Sequence, residues 1–133
     1  MSSSITIGAV MTPSPLTIEI SSPLVQAQKV LAEKSIRHLP VMQNGSLVSV
    51  LSDRDINLAL VANHGLEQAN DLKVEDVCTL EVYCVNADDL LADVVSNMAE
   101  KHIGSALVVE EGVLAGIFTA TDACRHLGKV LQG

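Results

Sequence analysis

Leu39-Pro40-Val41-Met42-Gln43-Asn44-Gly45-Ser46-Leu47-Val48-Ser49-Val50-Leu51-Ser52-Asp53-Arg54-Asp55 carries the reading of the fold. Two apolar runs flank Asn44-Gly45, a pair that favours a tight turn with positive φ, so the stretch predicts a β-hairpin. Its second run ends at Ser52, and Asp55 stands three residues on. That spacing marks a strand turning into a helix, predicted over Asp53–Ala62. Upstream, Leu24, Ala27, Val30 and Leu31 recur at three- and four-residue steps, which predicts an amphipathic helix. Ser21 or Ser22 is its expected cap, with Pro23 at an early helical position. Before it, Leu16-Thr17-Ile18 reads as a short extended piece.

Sliding the chain against itself by 67 residues repeats this pattern without a gap. Val10, Thr12, Leu24, Ala32, Glu33, Lys34, Ile36, Val41, Gly45, Leu47, Asp55 and Leu60 meet identical residues 67 places on. Copy two has its own extended piece, Tyr83-Cys84-Val85. Its helical stretch holds Leu90, Leu91, Val94, Val95 and Met98, with Asp88 or Asp89 as the expected cap. Its hairpin turns at Glu110-Glu111-Gly112, and its last helix is predicted over Thr121–Val130. Each copy is thus a βαββα unit, residues 1–65 and 66–133, with Asn63-His64-Gly65 through Asp71 as linker. The expected fold is α/β of the α+β type, two such units packed sheet to sheet about a pseudo-twofold axis.

Composition narrows the function. The chain has 133 residues, a net charge of −8, 48% hydrophobic residues, one Tyr, one Phe and no Trp. The core must be aliphatic. Few aromatics for base stacking and an acidic balance argue against nucleic acid, although a local cation and backbone N–H groups still accommodate a small anion. No apolar run approaches the roughly 18 residues of a membrane span, and the start has no signal-peptide pattern. A cytoplasmic protein is expected. Cys78, Cys84 and Cys124 show no CxxC spacing and read as reduced, partly buried small hydrophobes, so no metal site is expected. There is no P-loop, no GxGxxG and no Ser-His-Asp or Cys-His signature, so neither catalysis nor a cofactor is expected.

The motif that points to a ligand is the pair Ser52…Asp55 and Thr119…Asp122. At a helix N-terminus, free N–H groups and the positive dipole end favour phosphate. A hydroxyl can donate to a phosphate oxygen, and a carboxylate can accept both ribose hydroxyls. The competing reading is a capping box with Asp in place of the preferred Glu or Gln. Arg54 lies between these groups and is either a phosphate contact or a solvated surface cation. Thr121 takes its place in copy two, which predicts a weaker, hydroxyl-based grip.

The stretch Ile36 to Val41 with Leu47 to Ile56, opened by Val10-Met11-Thr12-Pro13, resembles a CBS domain, the motif named after cystathionine β-synthase. Val113 to Asp122 matches the closing strand and turn of the second copy. The tandem resembles a Bateman module. That resemblance implies binding of AMP, ADP, ATP or S-adenosylmethionine in clefts between the copies, and regulation of a target protein in trans. It implies a flat homodimer and places His38 and its equivalent Ser105 at the cleft lining. Pro40 would lie beside the base and leave a neighbouring carbonyl free, whereas copy two has Leu107. The backbone of Thr17, Ile18, Cys84 and Val85 would meet the adenine edge. Ser49 stands where copy two has the usual Gly116, which predicts a narrower first site. Lys34, Lys101, Arg37, His64, His102 and His126 read as solvated helix-end groups. The alternative function is a structural dimerisation module with degenerate sites.

Overall fold

The structure is a computed structural model and describes residues 4–62, 71–79 and 82–133. The linker stretch Asn63 to Asn70, with His64, lies outside the described residues. Two compact units are present, Leu16–Val82, and Met1–Pro15 together with Tyr83–Gly133.

In the first of these units, β2 (Ile18–Glu19) leads through α2 (Leu24–Lys34) to β3 (His38–Gln43), β4 (Ser46–Ser52) and α3 (Asp53–Ala62). A helical crossover is what lets β2 lie parallel to β3, whereas the tight turn at Asn44-Gly45 makes β4 antiparallel to β3. Asn44 and Gly45 both have positive φ, as the sequence predicts. The other unit repeats this as β5 (Cys84–Asn86), α4 (Leu91–Lys101), β6 (Ser105–Glu110), β7 (Val113–Thr119) and α5 (Ala120–Gln132), with Glu111 and Gly112 at positive φ. Both hairpins carry a bulge at the same place, after Val41 and after Val108.

The cores are aliphatic, as composition requires. Leu24, Ala27, Leu31, Leu39, Val41, Leu51, Ile56 and Val74 fill one, and Ile7, Val85, Leu91, Val94, Met98, Val108 and Phe118 fill the other. Ile7 and Val74 are 67 residues apart, and each belongs to the core built on the opposite repeat. The segment α1 (Ile7–Val10) and β1 (Thr12–Pro13) joins copy two, where β1 pairs antiparallel with β7. The segment around the 3₁₀ turn Val74–Asp76 joins copy one, where Thr79 bridges Val50. The repeat boundary at 65/66 is a boundary in sequence; in the compact units the two opening segments have changed places.

This exchange also caps the helices. The N–H of Leu24 donates to the Leu72 carbonyl at 2.9 Å, and that of Leu91 to the Ile5 carbonyl at 2.8 Å. The expected side-chain caps are therefore corrected. Pro23 and Leu90 occupy the cap positions without a side-chain bond, because an incoming backbone carbonyl takes the first amide. Asp89 closes a turn by accepting from the Asn86 N–H, and Leu90 is exposed. The cysteines differ too: Cys78 packs against a core, whereas Cys84 and Cys124 are exposed. Lys34 and Lys101 end their helices and His102 follows as a left-handed C-cap, but His126 lies within α5 beside an apolar hollow instead of at a helix end.

Candidate functional site

The two S/T-x-x-D turns are built alike. Ser52 ends β4 and Asp55 sits in the first turn of α3. The Ser52 N–H donates to Asp55 Oδ2 at 3.2 Å, and the Asp55 N–H donates to Ser52 Oγ at 3.0 Å. In copy two the Thr119 N–H donates to Asp122 Oδ2 at 2.9 Å, and the Asp122 N–H to Thr119 Oγ1 at 3.2 Å. The Thr119 hydroxyl also donates to Asp122 Oδ2 at 3.1 Å. Both turns are thus formed capping boxes with Asp doing the work of Glu. Capping engages one carboxylate oxygen, Oδ2, in each copy and leaves Oδ1 for other partners.

Register brings the next candidates to these turns. His38 pairs with Ser52 across β3 and β4, and Ser105 pairs with Thr119 across β6 and β7, so the equivalence holds in the sheet. His38 is half-buried and Ser105 is buried. Arg54 and Thr121 are exposed beside the helix starts. Thr17 and Cys84 are exposed, and Ile18 and Val85 point their side chains into the cores. Pro40 is fully buried, as is Leu107 in its place, so neither ring nor side chain presents an open face.

The significance of Pro40 lies in its backbone. In copy two the Leu107 N–H donates to the Tyr83 carbonyl at 2.8 Å. Proline has no N–H to give, so the equivalent Leu16 carbonyl in copy one does not receive that bond. Leu16 is exposed and borders Thr17.

Three features differ from the sequence reading or were missed by it. The Ser49 hydroxyl is buried and donates to the Thr79 carbonyl, so it ties down the opening segment. Gly116 takes the equivalent position because Met11 and Thr12 lie against it; an added Cβ would stand 2.8 Å from the Thr12 carbonyl oxygen. The Ser/Gly difference therefore concerns segment packing. Finally, Arg125 Nη1 donates to Asp122 Oδ1 at 3.0 Å. The i,i+3 spacing of that pair was a legible signal. Arg37 lies 3.9 Å from Asp53, a loose and exposed pair. Burial pushes the Cys84 thiol above its ordinary pKa.

Residues 7–62 and 74–129 each match the CBS domain. The chain belongs to the CBS domain family. Its mixed α/β fold agrees with solved CBS pairs. The CBS pair of protein MJ0100, solved in complex with 5′-methylthioadenosine and S-adenosyl-L-methionine, is 25% identical with a TM-score of 0.84, covering 95% of this chain and 98% of that one. CBSX2, solved in complex with AMP, is 26% identical with a TM-score of 0.76, covering 94% and 97%. Among curated proteins, the L-aspartate semialdehyde sulfurtransferase of Methanocaldococcus jannaschii is 28% identical over 121 residues. That match takes in 90% of this chain but 22% of the enzyme, so this CBS pair spans about a fifth of its length. Among the described residues no helix is long and apolar enough to cross a membrane.

Proposed function

We propose that this CBS pair binds an adenosine nucleotide, AMP, ADP, ATP or S-adenosylmethionine, at its strand-to-helix turns and acts as a regulatory ligand sensor. The observation that carries the reading is the turn of copy one. It combines a helix N-terminus, the Ser52 hydroxyl, Arg54 and the Asp55 carboxylate, while Pro40 on β3 has no N–H to give the Leu16 carbonyl. In this reading α3 and Arg54 hold phosphate, or a sulfonium ligand's carboxylate. Asp55 Oδ1 accepts from ribose, the Leu16 and Thr17 backbone meets the adenine amino edge, and His38 lies beside the phosphate. Ile18 and Pro40 support the contact from the core. Thr119, Thr121 and Asp122, with Cys84, Val85 and Ser105, form the equivalent and weaker site. The adenosine ligands of MJ0100 and CBSX2 support this class of molecule.

The protein does no chemistry in this proposal. Ligand binding changes what it presents to a target protein in the cytosol. A homodimer fits the exposure on α5, which buries none of its residues and leaves Leu127 and Val130 55% and Leu131 77% exposed. Sedimentation at tens of micromolar reads this directly, and a monomer there removes the dimer from the proposal.

Isothermal titration with the four ligands tests the binding. The expected result is a dissociation constant below about 1 mM for at least one, weakened roughly ten- to a hundredfold by Asp55→Ala, the scale of a lost charge-assisted contact. Asp122→Ala is expected to weaken only a second, poorer site. A flat titration with all four overturns the reading. A structural module with degenerate sites is the second reading, favoured by copy two, where the Tyr83 carbonyl is bonded and Ser105 buried. It predicts a melting temperature indifferent to nucleotide, whereas a ligand at a hundred times its dissociation constant adds about 2.7 kcal/mol.

A further inference from the structure

We propose that Arg125 is a specificity-determining residue that occupies the ribose position of the copy-two turn and sets its affinity below that of copy one. This rests on the nucleotide reading above. Capping uses Oδ2 of Asp122, and Arg125 Nη1 holds Oδ1 at 3.0 Å, so both carboxylate oxygens have partners within the unit. The Asp122 side chain is 16% exposed and that of Arg125 is 62% exposed. The guanidinium therefore covers the carboxylate from the solvent side, where a ribose would approach. In copy one the residue 67 places earlier is Leu58, which is exposed and has no charge to offer Asp55. The two turns thus share a capping geometry and differ in whether the remaining carboxylate oxygen is already engaged. A diol binding at Asp122 must displace a cation from it, whereas one binding at Asp55 has no such competitor at the equivalent position.

Because the pair is exposed on one side, its strength is that of a surface ion pair, and its removal is expected to tighten binding roughly two- to fivefold. The test uses the full chain with Asp55→Ala, which leaves copy two as the site read. In that background Arg125→Leu, which copies Leu58, is expected to tighten AMP binding by that factor. With 2′,3′-dideoxyadenosine 5′-monophosphate, which lacks the ribose hydroxyls, the gain is expected to vanish. In an otherwise unaltered copy one, Leu58→Arg is expected to weaken AMP binding by a similar factor. Weaker AMP binding in Arg125→Leu would make Arg125 a phosphate contact and overturn the inference. So would an equal gain for both ligands, or no change. If copy one binds AMP and these variants behave so, the inference alone fails; if the unaltered protein binds no adenosine ligand at all, the nucleotide reading fails and takes the inference with it.

Discussion

Cys84 opens β5 at the edge expected to meet adenine, and its thiol is exposed yet partly desolvated by its surroundings. Desolvation penalises the thiolate, so the pKa is raised and less thiolate is present at pH 8 than for an unhindered cysteine. Alkylation of Cys84 is therefore expected to lag behind that of a model thiol at pH 8, and to accelerate as pH rises toward and through the raised value. Peptide mapping separates it from Cys78 and Cys124. Saturating AMP should slow Cys84 further if adenine lies against that edge; a rate equal to the model thiol would contradict the desolvation. At this scale Asp55 and Asp122 illustrate how function and structure overlap. Each completes a capping box through Oδ2; Oδ1 of Asp55 lies outside the capping bonds, whereas Oδ1 of Asp122 is held by Arg125.

Among the elements, β1 and its neighbour β7 depend on a glycine. Gly116 is buried where the Thr12 carbonyl and Met11 approach, and both approaching groups belong to the opening segment. Gly116→Ala forces the strand or the Met11 side chain aside, with an expected loss of about 1–3 kcal/mol in urea unfolding, the usual scale of overpacking. The reverse exchange in copy one, Ser49→Gly, creates no clash and is expected to cost less, through the lost hydroxyl bond to Thr79. Equal costs would mean that the two positions do not play the unequal packing roles described. The helices follow the same logic. α2 and α4 start without side-chain caps because carbonyls of Leu72 and Ile5 receive their first amides.

For the molecule as a whole, the exchange of opening segments decides which residues share a core. Ile7 is fully buried with Val85, Val94 and Phe118, and Val74 with Leu24, Leu39 and Leu51. Ile7→Ala is expected to cost about 2–5 kcal/mol. Hydrogen exchange should show the loosening in β6, β7 and α4, more than 75 residues away in sequence, and not in β3 and β4. Val74→Ala, a smaller deletion, should loosen β3 and β4 in turn. Loosening confined to the sequence neighbours of each substitution would refute this pattern.

The hairpins at Asn44-Gly45 and Glu111-Gly112, the amphipathic helices and the doubling were legible in the chain itself, because turn chemistry and apolar periodicity are local properties. So was the resemblance of Ser52…Asp55 and Thr119…Asp122 to a ligand turn. The segment that completes each core was not legible. Periodicity reports that Ile7 and Val74 are apolar, but two copies of one unit offer each segment two equivalent cores, and only the folded chain selects between them. The Arg125–Asp122 pair, by contrast, spans three residues of one helix, and Leu58 stands at the corresponding place after Asp55, so that difference was legible in the spacing. Local spacing determined the elements, the candidate turns and the i,i+3 pair that engages Asp122; long-range contact determined which segment completes each core.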